Sequence, residues 1–132
     1  IYRDTLAIQI KAKSAHSETF GTRNNLAMLL MREGDLAGAE REFLQVIGLA
    51  SESLGAEHPY VMIFSNNYGE CLTLMHRHAE AEPLLIRTHM ALSKLMGADN
   101  PRVLKARARL ADLYDRMRRP ESAAEWRLAP AT

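Results

Sequence analysis

The chain has 132 residues, 47% of them apolar and 25% charged, enough for one packed domain or a few stacked repeats and typical of an ordinary folded protein. No apolar run is long enough to span a membrane, the charged opening Ile1-Tyr2-Arg3-Asp4 lacks a signal-peptide pattern, and the absence of a starting Met reads as an excised or processed piece. The formal net charge of +1 excludes a uniformly basic or acidic surface, but it is uneven: residues 1–100 carry 9 Lys/Arg against 12 Asp/Glu, and residues 101–132 carry 8 against 4. The basic end is suited to an acidic partner, or simply to a solvated helix face.

Taken in chain order, the sequence repeats itself every 42 residues. Asn24-Asn25 returns as Asn66-Asn67, Gly55 as Gly97, Pro59 as Pro101, and Ala39 as Ala81 and Ala123, all at that one offset and without a gap. A fixed period of this length is the signature of stacked supersecondary units. Residues 1–16 align with the second half of a unit, so they read as the second helix of a preceding repeat. Repeat 1 then spans 17–58, repeat 2 spans 59–100, and a third, truncated repeat occupies 101–132.

Within repeat 1, apolar positions from Ser17 to Glu33 follow helical spacing. Gly34-Asp35 breaks that helix, as a glycine past a helix C-terminus does. A second helix is predicted from Leu36 to Leu54, with Ala39, Phe43, Val46, Ile47 and Ala50 on one stripe and Gly55 as its stop. Pro59, Pro101 and Pro120 suit first helical turns, where a missing N–H leaves nothing unpaired. Asn100 and His58 stand where caps belong. Pro83 lies further inside its helix, where it removes a bond and bends the start. No segment alternates with period two, so no sheet is expected. Neither helix of a unit hides its apolar face alone. The expected fold is therefore all-α, a right-handed α-solenoid of antiparallel helix pairs with a concave and a convex side, and its open ends leave surface for self-association.

Leu54-Gly55-Ala56-Glu57-His58-Pro59, Asn24-Asn25-Leu26-Ala27 and Gly34-Asp35-Leu36-Ala37-Gly38-Ala39-Glu40 together resemble the tetratricopeptide repeat in its 42-residue, kinesin-light-chain-like form. The resemblance covers the whole chain. The segment Arg119 to Arg127 is also similar to the closing repeat of bacterial arrays, including those appended to serine/threonine kinases. The resemblance implies that the first helix of each repeat lines the concave groove. Carried over by position, that groove takes Asn24, Asn25, Met28, Met31 and Arg32 from repeat 1, Ile63, Asn66, Asn67, Glu70 and Thr73 from repeat 2, and Lys105, Arg109, Asp112 and Arg116 from repeat 3. It further implies that paired asparagines grip an extended peptide, since one carboxamide offers both a donor and an acceptor to a peptide unit. The bland alternative is that one Asn of each pair ties a helix to its neighbour. Asn67, Lys105 and Arg109 occupy three places of a carboxylate clamp known in relatives, but Asn24 stands where a Lys belongs and Met28 where an Asn belongs. A looser hold on acidic side chains is what remains.

Other chemistry finds little support. His76, His78 and His89 lack companions at metal-ligand spacing, and Cys71 stands where repeat 1 has Leu29, as a small core residue. With one cysteine there is no internal disulfide, which fits a reducing, cytoplasmic setting. No phosphate loop, nucleophile elbow or zinc-protease motif is present, so neither an enzyme nor a cofactor is expected. Nucleic acid is disfavoured by the acidic first 100 residues and by 6% aromatic content. The expected function is a protein–protein interaction module that binds an extended peptide or partner segment, with a scaffolding or autoregulatory segment of a larger signalling protein as the alternative.

Overall fold

The computed structural model describes residues 17–127, with side chains from residue 20 onward; the half repeat expected over 1–16 and the tail after Arg127 lie outside the described residues. Six helices follow one another: α1 Ser17–Arg32, α2 Leu36–Leu54, α3 Pro59–Leu74, α4 His78–Met96, α5 Pro101–Arg116 and α6 Pro120–Arg127. Among the described residues there is no strand. The helices pair as α1–α2, α3–α4 and α5–α6, and each packs chiefly on its chain neighbours. The first helices of successive units also touch, α1 on α3 and α3 on α5. This is an all-α solenoid.

The turn inside each unit is the same device three times. Gly34, His76 and Arg118 lie 42 residues apart and all adopt positive φ, at 88°, 62° and 59°. In each turn the next residue's N–H reaches back five residues to a helix carbonyl: Asp35 to Leu30 at 2.9 Å, Arg77 to Leu72 at 2.9 Å and Arg119 to Tyr114 at 2.8 Å. This is the Schellman arrangement, in which a left-handed residue satisfies the last carbonyls of a helix. Only the first turn has glycine at that position. The bonding closes α1 at Arg32, one residue before the expected end.

Between units, Gly55 and Gly97 turn the chain at φ 101° and 90°. The following helix then starts on a cap. His58 Nδ1 accepts from the Tyr60 N–H at 3.0 Å, and Asn100 Oδ1 accepts from the Arg102 N–H at 2.9 Å, with Pro59 and Pro101 in the first turn. Helix α2 is capped by Asp35, whose carboxylate accepts from Gly38 N–H at 2.9 Å. The equivalent residue before α4 is Arg77, and it makes no cap bond. Its guanidinium reaches Glu80 at 2.6 Å and crosses to Glu40 of the previous unit at 2.6 Å. Helix α4 continues through Pro83.

Apolar side chains from adjacent units share their cores. Phe20, Val46, Ala50, Val61, Phe64, Leu92 and Val103 pack together across five helices, and Leu26, Leu30, Phe43 and Cys71 form a second cluster. A third joins Leu72, Leu85, Leu110, Leu113 and Tyr114. Fully burying one such large side chain contributes roughly 1.5–3 kcal/mol, so the inter-unit contacts rather than helix propensity hold the stack. Met31, expected in the groove, belongs to the second cluster instead. Burial pushes the Cys71 thiol up to about 11, so it is a core residue and a poor nucleophile. Where α3 meets α4, Gly69 leaves no room for a side chain: a Cβ there would run into Leu85 Cδ2.

Candidate binding groove

The first helices of the three units stand side by side, and their shared face is concave. A hollow of about 530 Å³ opens there, lined by Asn24, Asn25, Met28 and Arg32 of α1, by Ile63, Asn66 and Asn67 of α3, and by Pro101, Arg102, Lys105 and Arg109 of α5, with Leu92 of α4 beneath. A smaller hollow of about 190 Å³ continues along α3 and α5 between Glu70, Thr73, Lys105, Ala108, Arg109 and Asp112. In the other direction a hollow of about 370 Å³ runs past Gly21, Tyr60 and Phe64. Of the fourteen residues expected from the sequence, nine border the central hollow, and Glu70, Thr73 and Asp112 border its neighbour; Met31 and Arg116 border neither.

The asparagines in this face do not share one role. Asn66 is 2% exposed and Asn67 8%. Asn66 Nδ2 donates to Thr88 Oγ1 of α4 at 2.8 Å, and Asn67 Nδ2 donates to Asn24 Oδ1 of the previous unit at 3.0 Å. Both side-chain carbonyls accept from a single atom, Arg109 Nη1, each at 2.7 Å. Polar groups removed from water need such partners, and a charged donor makes the stronger bonds. The chain Asn24–Asn67–Arg109–Asn66–Thr88 therefore ties three repeat units together. Asn25, by contrast, is exposed.

Arg109 is 7% exposed, a position where an arginine needs full pairing. Glu70 Oε1 stands 3.1 Å from its Nη2 as an ion pair, and Nε meets no acceptor among the described residues. Burial lowers its pKa, and the Glu70 carboxylate works against that shift. Further out, Arg116 pairs with Asp112 one turn earlier at 2.8 Å. Arg32, Arg102 and Lys105 lie exposed, with no carboxylate within ion-pair distance among the described residues. Arg102 was not among the expected residues; it lies one turn before Lys105 on the same helix face, a spacing that sequence alone displays.

Away from the groove, the histidines stand apart. His76 and His78 contact each other edge to face at 5.9 Å. His89 meets Trp126 edge-on at 4.9 Å, and Arg107 lies over the same indole at 5.3 Å. Neither ring nitrogen of His89 has a partner among the described residues. Among the described residues no three His, Cys, Asp or Glu side chains converge as metal ligands, and no helix is long and apolar enough to cross a membrane.

Residues 61–126 match one tetratricopeptide repeat model and residues 19–60 match another. No curated protein matches the chain. Among solved structures, two of kinesin light chain nearly identical TPR-like repeats from Podosopora anserina, one of them a single-substitution form, superpose at TM-scores of 0.72 for that form and 0.69 for the other, with 23% and 22% identity. Those alignments cover 95% of this chain and 59% and 60% of the other chains. BtubC (BKLC) from P. vanneervenii superposes at 0.76 with 20% identity, over 95% of this chain and 51% of that one. At these identities the likeness is one of fold. This chain spans 51% to 60% of the length of these structures.

Proposed function

Because the chain belongs to the tetratricopeptide repeat family, whose repeats are in general protein–protein interaction modules and typically non-enzymatic, we propose that it binds an extended, acidic partner segment in the concave groove. One observation carries this reading. Every ionisable side chain lining the central hollow is cationic: Arg32, Arg102, Lys105 and Arg109, with no carboxylate among them. A concave surface of one sign focuses its field on an incoming segment of the other. Exposed Arg32, Arg102 and Lys105 are the groups to meet carboxylates, and arginine offers them a bidentate fork. Asn25, exposed beside them, presents both a donor and an acceptor to a peptide unit. Met28 supplies a soft apolar contact between the two.

The test is a screen of extended peptides, acidic and neutral, against the native chain and the charge-reversed double variant Arg102→Glu/Lys105→Glu. Both positions are exposed, so the fold should persist by circular dichroism. Acidic peptides should bind the native chain and lose at least about tenfold in affinity to the variant, since like charges placed opposite one another repel strongly. Equal capture by both proteins would remove the groove from consideration.

A further inference from the structure

The polar chain on the groove floor leaves one edge of Arg109 open. A guanidinium binds a carboxylate best through two parallel N–H donors, and Nε with Nη2 forms one such fork. In Arg109 the third nitrogen, Nη1, is taken by Asn66 and Asn67 at 2.7 Å each. The Nε–Nη2 fork is buried; Nε has no acceptor among the described residues, and Nη2 has Glu70 alone. What lies across it is Glu70, reaching Nη2 with a single oxygen at 3.1 Å. That carboxylate is not itself sequestered: the Glu70 side chain remains 35% exposed, against 7% for its partner. It borders the smaller hollow that continues from the central groove, and Arg109 borders both. A buried guanidinium with half of its fork unmet is costly to leave as it is. A partly exposed carboxylate is a poor permanent partner, because water competes for it.

We infer that Glu70 is an internal stand-in for the ligand, covering the Arg109 fork until a carboxylate of the bound segment displaces it. This rests on the groove being the binding surface. Rotating Glu70 outward costs one ion pair made through a single oxygen and uncovers two donors already held in place by Asn66 and Asn67. The partner's carboxylate then takes both N–H groups, while Glu70 returns to water. The arrangement selects against neutral segments, which cannot offset the displacement of Glu70.

The probe is an acetylated (Glu-Ala)4 amide, with the (Gln-Ala)4 peptide as its neutral counterpart. Glu70→Gln keeps the shape and removes the competing charge. It should bind the acidic probe on the order of three- to tenfold tighter than the native chain, the scale of a partly exposed ion pair. Asp112→Asn removes an equal charge from the same hollow, but Asp112 pairs with Arg116 rather than Arg109. It should change affinity by less than about twofold, as an exposed helix pair does. In the native chain, the Arg109 Nε–H resonance should move with the acidic probe and stay still with the neutral one. An unchanged or weaker Glu70→Gln, an equal gain from Asp112→Asn, or a silent Arg109 resonance overturns the stand-in role. If binding then still depends on Arg102 and Lys105, the groove reading survives. If neither the native chain nor Glu70→Gln binds the acidic probe, both fall.

Discussion

Asn66→Ala separates an asparagine that holds the stack from one that faces a ligand. Asn66 makes two buried side-chain bonds, donating to Thr88 Oγ1 at 2.8 Å and accepting from Arg109 Nη1 at 2.7 Å. A bond to a charged group contributes roughly 1.5–3 kcal/mol and a neutral one about 1 kcal/mol. The full sum is not lost, because Arg109 Nη1 keeps Asn67 Oδ1 and the Thr88 hydroxyl still donates to Leu84 O at 2.8 Å. The expected loss is about 2–3 kcal/mol, a large share of the roughly 5–15 kcal/mol that holds a typical domain. For a chain of this size that lowers Tm by roughly 6–15 °C. Asn25→Ala provides the contrast. Asn25 is exposed, so its loss should stay within about 0.5 kcal/mol while weakening peptide binding. Urea unfolding followed by circular dichroism, run on both variants, measures the difference. If Asn66→Ala also stays within about 0.5 kcal/mol, the Arg109 chain does not hold the repeats together and the division of the pair collapses.

Three further outcomes follow from the same geometry. Gly69→Ala drives a methyl against Leu85 Cδ2, and overpacking of that kind destabilises by about 1–3 kcal/mol; a neutral result in urea unfolding would mean that the Leu85 side chain gives way without cost. His76→Gly places glycine at φ 62°, where repeat 1 already has Gly34, and should raise stability by about 0.5–1 kcal/mol in the same assay, because an L-residue is strained there; no gain would show that the turn carries no strain. Desolvation, with Arg107 adding to it, holds the His89 pKa below the ordinary imidazole value of 6.5. As pH falls, the unfolded chain therefore takes up the proton first, so this contribution is complete above about pH 6.5 and declines below it by at most about 1.4 kcal/mol per pH unit. His89→Ile, which restores the residue type of Ile47 one period earlier, should flatten the stability profile between about pH 7 and pH 5; an unaltered slope would place the acid sensitivity elsewhere.

Much of the fold was legible because the 42-residue period acts on residues whose role is local. Leu36–Leu54 is found as expected, and so are the caps at His58 and Asn100 and the first-turn prolines, since each depends on neighbours a few positions away. Most of the residues bordering the hollows were legible for the same reason, since position along a first helix determines which way a residue leans; Met31, drawn into the core, and Arg116 are the exceptions. What the period could not reveal was depth. The bonds that bury Asn66 and Asn67 come from Arg109, 43 and 42 residues later, and Asn67 in turn bonds Asn24, 43 residues earlier. A pattern read within one helix cannot tell a polar residue facing the groove from one facing the next unit. Reach decides between them, and reach belongs to the partner's side chain. Arg109 departs from the pattern, standing where the earlier repeats have Asn25 and Asn67. Read by letter, that change weakens the grip of the asparagines on a peptide. In the structure the longer side chain extends back over α3 and takes both asparagine carbonyls, so the departure brings the third repeat into a tie that the Asn67–Asn24 and Asn66–Thr88 bonds begin.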